Sequence, residues 1–219
     1  MPRRIQIRRD MREQLTKGYH AFRSSDFHEQ KALYEELGTS GQAPKVMLIS
    51  CADSRVDPTD IFHAYPGELF VVRNVANLVP PASAETATPG TGAALEYAVK
   101  VLGVQAIVVM GHESCGGIRG AHDGVTDGFV GSWLSHLMGA ADRVKARGLP
   151  EAESIAQLEL EGVRQSLGNL MSFDFIREQV TAGELVLLGA YFSIINAKLL
   201  LTDETGSFHE VAPYEAEPG

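Results

Sequence analysis

From residue 45 onward, short apolar runs alternate with longer amphipathic ones. The segments 45–50 (KVMLIS), 68–73 (ELFVVR), 105–110 (QAIVVM) and 184–189 (ELVLLG) are bounded by turn residues and read as buried strands. Between them the apolar residues recur at helical spacing, as Ala93, Ala94, Tyr97, Ala98 and Val101 do within 91–102. Helices are also predicted over 115–121, 132–147 and 151–180, with a short one opened by Asp57-Pro58. Residues 208–211 predict an edge strand. Residues 79–90, with Pro80, Pro81 and Pro89, read as a loop, and Pro66-Gly67 as a turn. Strands alternating with helices imply right-handed crossovers and an α/β fold: a mainly parallel central β-sheet flanked by helices. Ahead of it, residues 10–37 are polar with spaced apolar positions, and 38–44 are a turn-rich break. The expected organisation is a single domain over 1–219, with an N-terminal helical arm at 1–40 and an α/β core at 45–211.

Composition narrows the partners. The chain has 219 residues, 44% hydrophobic and 21% charged, as a globular domain with a substantial core should. A net charge of −9 argues against a nucleic-acid partner, which would want a basic face. No run of about 18 apolar residues suggests a membrane span. Arg3, Arg4, Arg8, Arg9 and Arg12 crowd the start, but no apolar segment follows as in a secretory signal, and Asp10 and Glu13 dilute a transit-peptide reading. The only two cysteines are too few for a disulfide framework, and with a histidine nearby they suit a reducing, cytoplasmic setting. Gly90-Thr91-Gly92 lacks the third glycine of a dinucleotide loop and follows no strand.

Two motifs carry the chemistry. Cys51-Ala52-Asp53-Ser54-Arg55 follows the first predicted strand, and His112-Glu113-Ser114-Cys115 the third. Open α/β sheets place ligands beyond the carboxyl ends of strands. Two thiols and an imidazole, the latter three residues from Cys115, make three ligands of a tetrahedral zinc site, leaving the fourth position to water or a protein group. Cys115 is expected at a helix N-terminus, where free N–H groups favour a thiolate. Asp53 can orient a water on the metal or bind the metal itself and close the site. Arg55 can grip Asp53 in a bidentate pair that keeps it ionised and off the metal.

These motifs resemble those of the β-class carbonic anhydrases. The resemblance extends through Gly41–Lys45 (GQAPK), Pro66–Phe70 (PGELF), Arg73–Asn77 (RNVAN), Gly92–Val99 (GAALEYAV) and Cys115–Ile118 (CGGI), and more weakly through Ser166–Leu170 (SLGNL). It implies zinc held by Cys51, His112 and Cys115, and reversible hydration of carbon dioxide to bicarbonate and a proton. Zinc-bound hydroxide would be the nucleophile and the Asp53–Arg55 dyad would orient it. Gln42, Phe70, Val75, Tyr97, Gly116 and Gly117 would bind substrate, some of them from a second subunit, so a homodimer or homotetramer is expected. Leu48 stands where the variant that closes at low pH carries Trp, which together with Gln42 implies the open, plant-like type. The resemblance implies two departures: Ser193, where an acidic residue is common, and Asp174, where Pro is frequent. His63, His122 and His209 are candidate proton shuttles. A carbonyl sulfide or carbon disulfide hydrolase on the same fold, or a non-catalytic zinc or bicarbonate-binding protein, are the rival readings.

Overall fold

A computed structural model describes residues 3–84 and 90–212. The chain divides into two compact units, Met1–Gln42 and Ala43–Gly219.

The first unit contains the helices α1 (Arg3–Ser24), α2 (Asp26–Glu29) and α3 (Lys31–Ser40). The rings of Phe22, Phe27 and Tyr34 pack together, with Phe27 and Tyr34 centroids 5.3 Å apart. Along α1, Ile7, Met11, Leu15 and Tyr19 are exposed at a spacing of four residues, which puts them on one face of the helix.

The second unit is built on β1 (Val46–Cys51), α4 (Pro58–Ile61), β2 (Leu69–Asn74), α5 (Gly90–Glu96, continued by a π-helical turn to Leu102) and β3 (Ala106–His112). Next come α6 (Gly116–His122), α7 (Gly128–Leu134), α8 (Met138–Lys145), α9 (Glu151–Leu170), α10 (Asp174–Thr181), β4 (Val186–Ser193), β5 (Lys198–Thr202) and β6 (Phe208–Glu210). The strands form one sheet in the order β2-β1-β3-β4-β5-β6. The first four are parallel and the last two antiparallel. The α/β expectation holds, with an antiparallel flank on the mainly parallel sheet.

Central parallel strands are covered on both faces, so they read as continuous apolar runs. In β1 and β3, Met47, Ile49, Ile107 and Val109 face one side, against Leu95, Leu170 and Ile176. Leu48, Val108 and Met110 face the other, against Ile61, Phe62 and Leu199.

Several boundaries differ from the sequence expectation. The fourth strand starts two residues later, because Glu184 and Leu185 donate backbone bonds to Gln179 and finish the turn after α10. Residues 198–202 form a strand that the sequence did not predict, since this short run gains its identity only from pairing with β4. The long helix over 151–180 breaks at Met171–Phe173, and α10 restarts at Asp174. There Asp174 occupies the first helical position, where Pro is common for its fixed φ. Its charge suits the helix N-terminus equally well, and it takes a 2.6 Å bond from Arg177.

α9 lies hard on β3. A Cβ on Gly111 would fall 2.7 Å from Val163 Cγ2 and 3.5 Å from the Glu159 carbonyl oxygen. Gly111→Ala is therefore expected to destabilise the fold by about 1–3 kcal/mol, read as a lower urea midpoint. An unchanged midpoint would show that α9 is not seated on this strand.

Candidate metal centre

β1 ends at Cys51 and β3 at His112, and the two strands are neighbours, with Ser50 opposite Met110. From β1 the chain goes to β2 on one side and then returns to β3 on the other, which makes this the switch point of the sheet. Beyond His112 the chain turns through Ser114, a non-glycine residue at φ 57°, and re-enters at Cys115, the N-cap of α6. This turn brings Cys115 Sγ to 3.9 Å from Cys51 Sγ, both side chains buried. The two sulfurs and a His112 ring nitrogen lie within 4.8 Å of one another.

The donor set fits a metal ion. Zn–S bonds of about 2.3 Å at the tetrahedral angle would set two sulfurs about 3.8 Å apart, close to the spacing present. His112 Nδ1 lies 2.9 Å from the Glu113 carbonyl oxygen, so that nitrogen carries the hydrogen, while the buried Nε2 has no hydrogen-bond partner. The thiol pair gives up one proton easily, because the Cys115 thiol hydrogen-bonds the Cys51 sulfur and favours its thiolate. The second is held back at Cys115, by that same bond and by burial. A divalent cation supplies what the pair lacks to ionise twice.

Over this group sits Asp53. Arg55 Nε donates to Asp53 Oδ1 at 2.9 Å and Nη2 to Oδ2 at 2.7 Å, and the Arg55 backbone N–H adds a 3.0 Å bond to Oδ1. Asp53 Oδ2 lies 4.0 Å from His112 Nε2. The Arg55 side-chain bonds, more than its charge alone, hold the Asp53 carboxyl well below the usual carboxylate range. Arg73, which sequence reading left without a role, organises the loop beneath. It donates to the carbonyls of Cys51, Asp53 and Val56 and pairs with Asp57, the cap of α4. Its signals in the sequence are its place at the end of a predicted strand and at the head of the Arg73–Asn77 stretch.

On the other flank, Asn74 clamps Leu78 through two 2.8 Å bonds, while Ala76 and Asn77 take φ of 62° and 48°. This tight turn presses Val75 and Ala76 against α6. A Cβ on Gly117 would meet Val75 Cγ1 at 2.8 Å and Ala76 Cβ at 3.0 Å, so only glycine allows the approach. Gly116 beside Cys115 faces open space.

The carbonic anhydrase family model matches residues 46–199. Beta carbonic anhydrase 3 of Arabidopsis thaliana is 37% identical over 195 residues, spanning 85% of this chain and 74% of that protein. The chain belongs to the β-class carbonic anhydrases. Among solved structures, the β-carbonic anhydrase CcaA superposes with a TM-score of 0.85 at 31% identity, covering 94% of this chain and 93% of that one. A structure from a study of two tetrameric β-carbonic anhydrases of Sordaria macrospora matches at 30% identity and a TM-score of 0.75, over 94% of this chain and 100% of that one.

Within this carbonic anhydrase, the structure gathers Cys51, Asp53, Arg55, Val75, His112, Cys115, Gly116 and Gly117 at one end of the sheet. Phe70 and Tyr97 are elsewhere. They pack on each other, ring centroids 5.9 Å apart, and Phe70 lies opposite Met47, four residues back along β2 from the pairing of Cys51 with Asn74. Gln42 is exposed and ends the first unit. His63 and His209 are on α4's following turn and β6, and His122 bonds Ser154 Oγ at 3.1 Å. Ser193 donates to Glu113 Oε2 at 2.9 Å, and Ile195 N–H adds a 3.1 Å bond, so a carboxylate reaches the end of β4 from the turn after β3.

Proposed function

We propose that this carbonic anhydrase hydrates carbon dioxide reversibly to bicarbonate and a proton at zinc held by Cys51, His112 and Cys115. The observation that carries the reading is the Asp53–Arg55 pair: a carboxylate with both oxygens engaged by one guanidinium, poised beside the unpartnered nitrogen of His112. Zinc, when bound, supplies the Lewis acidity that lets water lose a proton near neutral pH. Asp53 accepts a hydrogen bond from the attacking oxygen and aims its lone pair at the carbon. Arg55 keeps that carboxylate ionised and occupies both of its oxygens, which supports the open type of site. Val75, Gly116 and Gly117 border the space where the substrate would approach.

Phe70, Tyr97 and Gln42 are assigned to the pocket of a second subunit in a homodimer, or in a homotetramer like those named for Sordaria macrospora. The half-exposed Tyr97 and the exposed apolar face of α1 support an assembled form. No helix among the described residues is long and apolar enough to cross a membrane. Two cysteines working as metal ligands need a reducing compartment, which favours a cytoplasmic location.

Stopped-flow carbon dioxide hydration on protein assayed for zinc tests the assignment. About one zinc per chain and fast turnover at pH 8.5 are expected. Turnover should rise from pH 6 to 9. Asp53 is already ionised across that range, so the rising limb belongs to the attacking water. A flat profile would refute this. Full zinc without turnover would redirect the assay to carbonyl sulfide.

A further inference from the structure

The peptide unit joining Ser114 to Cys115 is gripped from both sides. Its carbonyl oxygen accepts from Arg55 Nη2 at 3.0 Å. Its N–H, on Cys115, donates to Glu159 Oε1 at 3.1 Å. The C=O and N–H of a trans peptide point in opposite directions, so the arginine and the glutamate hold the plane from opposite edges. The other oxygen of Glu159 accepts from the Tyr191 hydroxyl at 2.6 Å. One hydrogen-bonded line therefore runs from Asp53 through Arg55 and this peptide to Glu159 and Tyr191.

The glutamate end of the line is well anchored. Glu159 is only 3% exposed, the one buried carboxylate among the described residues. A carboxylate in that position must have partners, and both its oxygens are used. Its helix is locked onto β3 by the missing side chain of Gly111. Tyr191 stands opposite Gly111 in the register of β3 and β4. The peptide itself needs holding, because Ser114 occupies the left-handed region that non-glycine residues avoid.

We propose that Glu159 is a positioning residue for the metal centre and its dyad. By accepting the Cys115 N–H it sets the tilt of the 114–115 peptide. That tilt aims the Cys115 sulfur at the metal position and presents the Ser114 carbonyl on which Arg55 is seated. Arg55 in turn fixes Asp53. The inference rests on the carbonic anhydrase reading and adds a residue of α9, at the opposite edge of the 114–115 peptide from Arg55.

The test uses zinc-loaded protein carrying Glu159→Met, which fills the space but offers no acceptor, and Glu159→Gln, which keeps an acceptor for the Cys115 N–H. Zinc release to excess chelator and carbon dioxide hydration are both followed. Glu159→Met should release zinc about 10- to 100-fold faster and lower kcat by about tenfold, with KM less affected. Glu159→Gln should restore both to within about threefold of the parent. In an Asp53→Asn background, Glu159→Met should lower kcat by less than it does in the parent, since the part of its effect that reaches Asp53 through Arg55 is already lost. The proposal is overturned if Glu159→Met releases zinc at the parent rate, if Glu159→Gln is as impaired as Glu159→Met, or if the losses from Asp53→Asn and Glu159→Met multiply. Glu159→Leu replaces Glu159→Met should the latter not fold. Release rates do not depend on turnover, so a parent protein that holds zinc but does not hydrate carbon dioxide would refute the function and leave the role of Glu159 decided.

Discussion

Cys51→Ala is expected to strip the metal from the protein and abolish carbon dioxide hydration, with the fold retained. Cys51 ends the central strand β1 and supplies one of only two thiols in the chain. Its loss leaves one thiol and one imidazole, too few to hold zinc against solvent. Structural zinc sites with four ligands bind with apparent energies of about 10–16 kcal/mol, so one ligand is worth roughly 3 kcal/mol, more than a hundredfold in affinity. The strand itself should survive. Its apolar residues remain buried on both faces, and alanine fits the space of a thiol. Metal content after dialysis against a chelator and the residual turnover are the measurements. A variant that keeps a full complement of zinc would mean that the ion sits elsewhere.

Asp53→Ala should do the reverse, keeping zinc and losing about 10²–10⁴-fold in turnover. Asp53 is not needed to hold the ion, because Cys51, His112 and Cys115 converge without it. It is needed to orient the nucleophile, and the two Arg55 bonds commit it to that task. Turnover within threefold of the parent would remove Asp53 from the mechanism. The variant should also leave Arg55 bound to the Ser114 carbonyl alone. A crystal structure of the parent at pH 7–8 bears on the same point. Asp53 should remain turned toward Arg55, and its carboxylate on the metal would mark a closing type of site.

The chemistry was legible because it is carried by residue types at short range. C-x-D-x-R and H-x-x-C each fall after an apolar run bounded by turn residues, and such runs form strands wherever they are buried on both faces. The helix start at Cys115 was also expected from the sequence. Less was visible near the end of the chain. The three leucines of residues 198–202 (KLLLT) are too short a run to declare a strand until β4 lies beside them.

The sequence by itself determined which side chain types could bind a metal and which short-range pairs form, because Asp53 and Arg55 are two residues apart and His112 and Cys115 three. Only the tertiary structure decided what acts across long separations. It set Glu159 behind Cys115, 44 residues away, and Glu113 against Ser193, 80 residues away. It also kept Phe70 and Tyr97 apart from the ligands within one chain. Such contacts depend on strand order and on how closely α9 can approach β3. Those depend on packing, in which a single missing Cβ at Gly111 sets the distance.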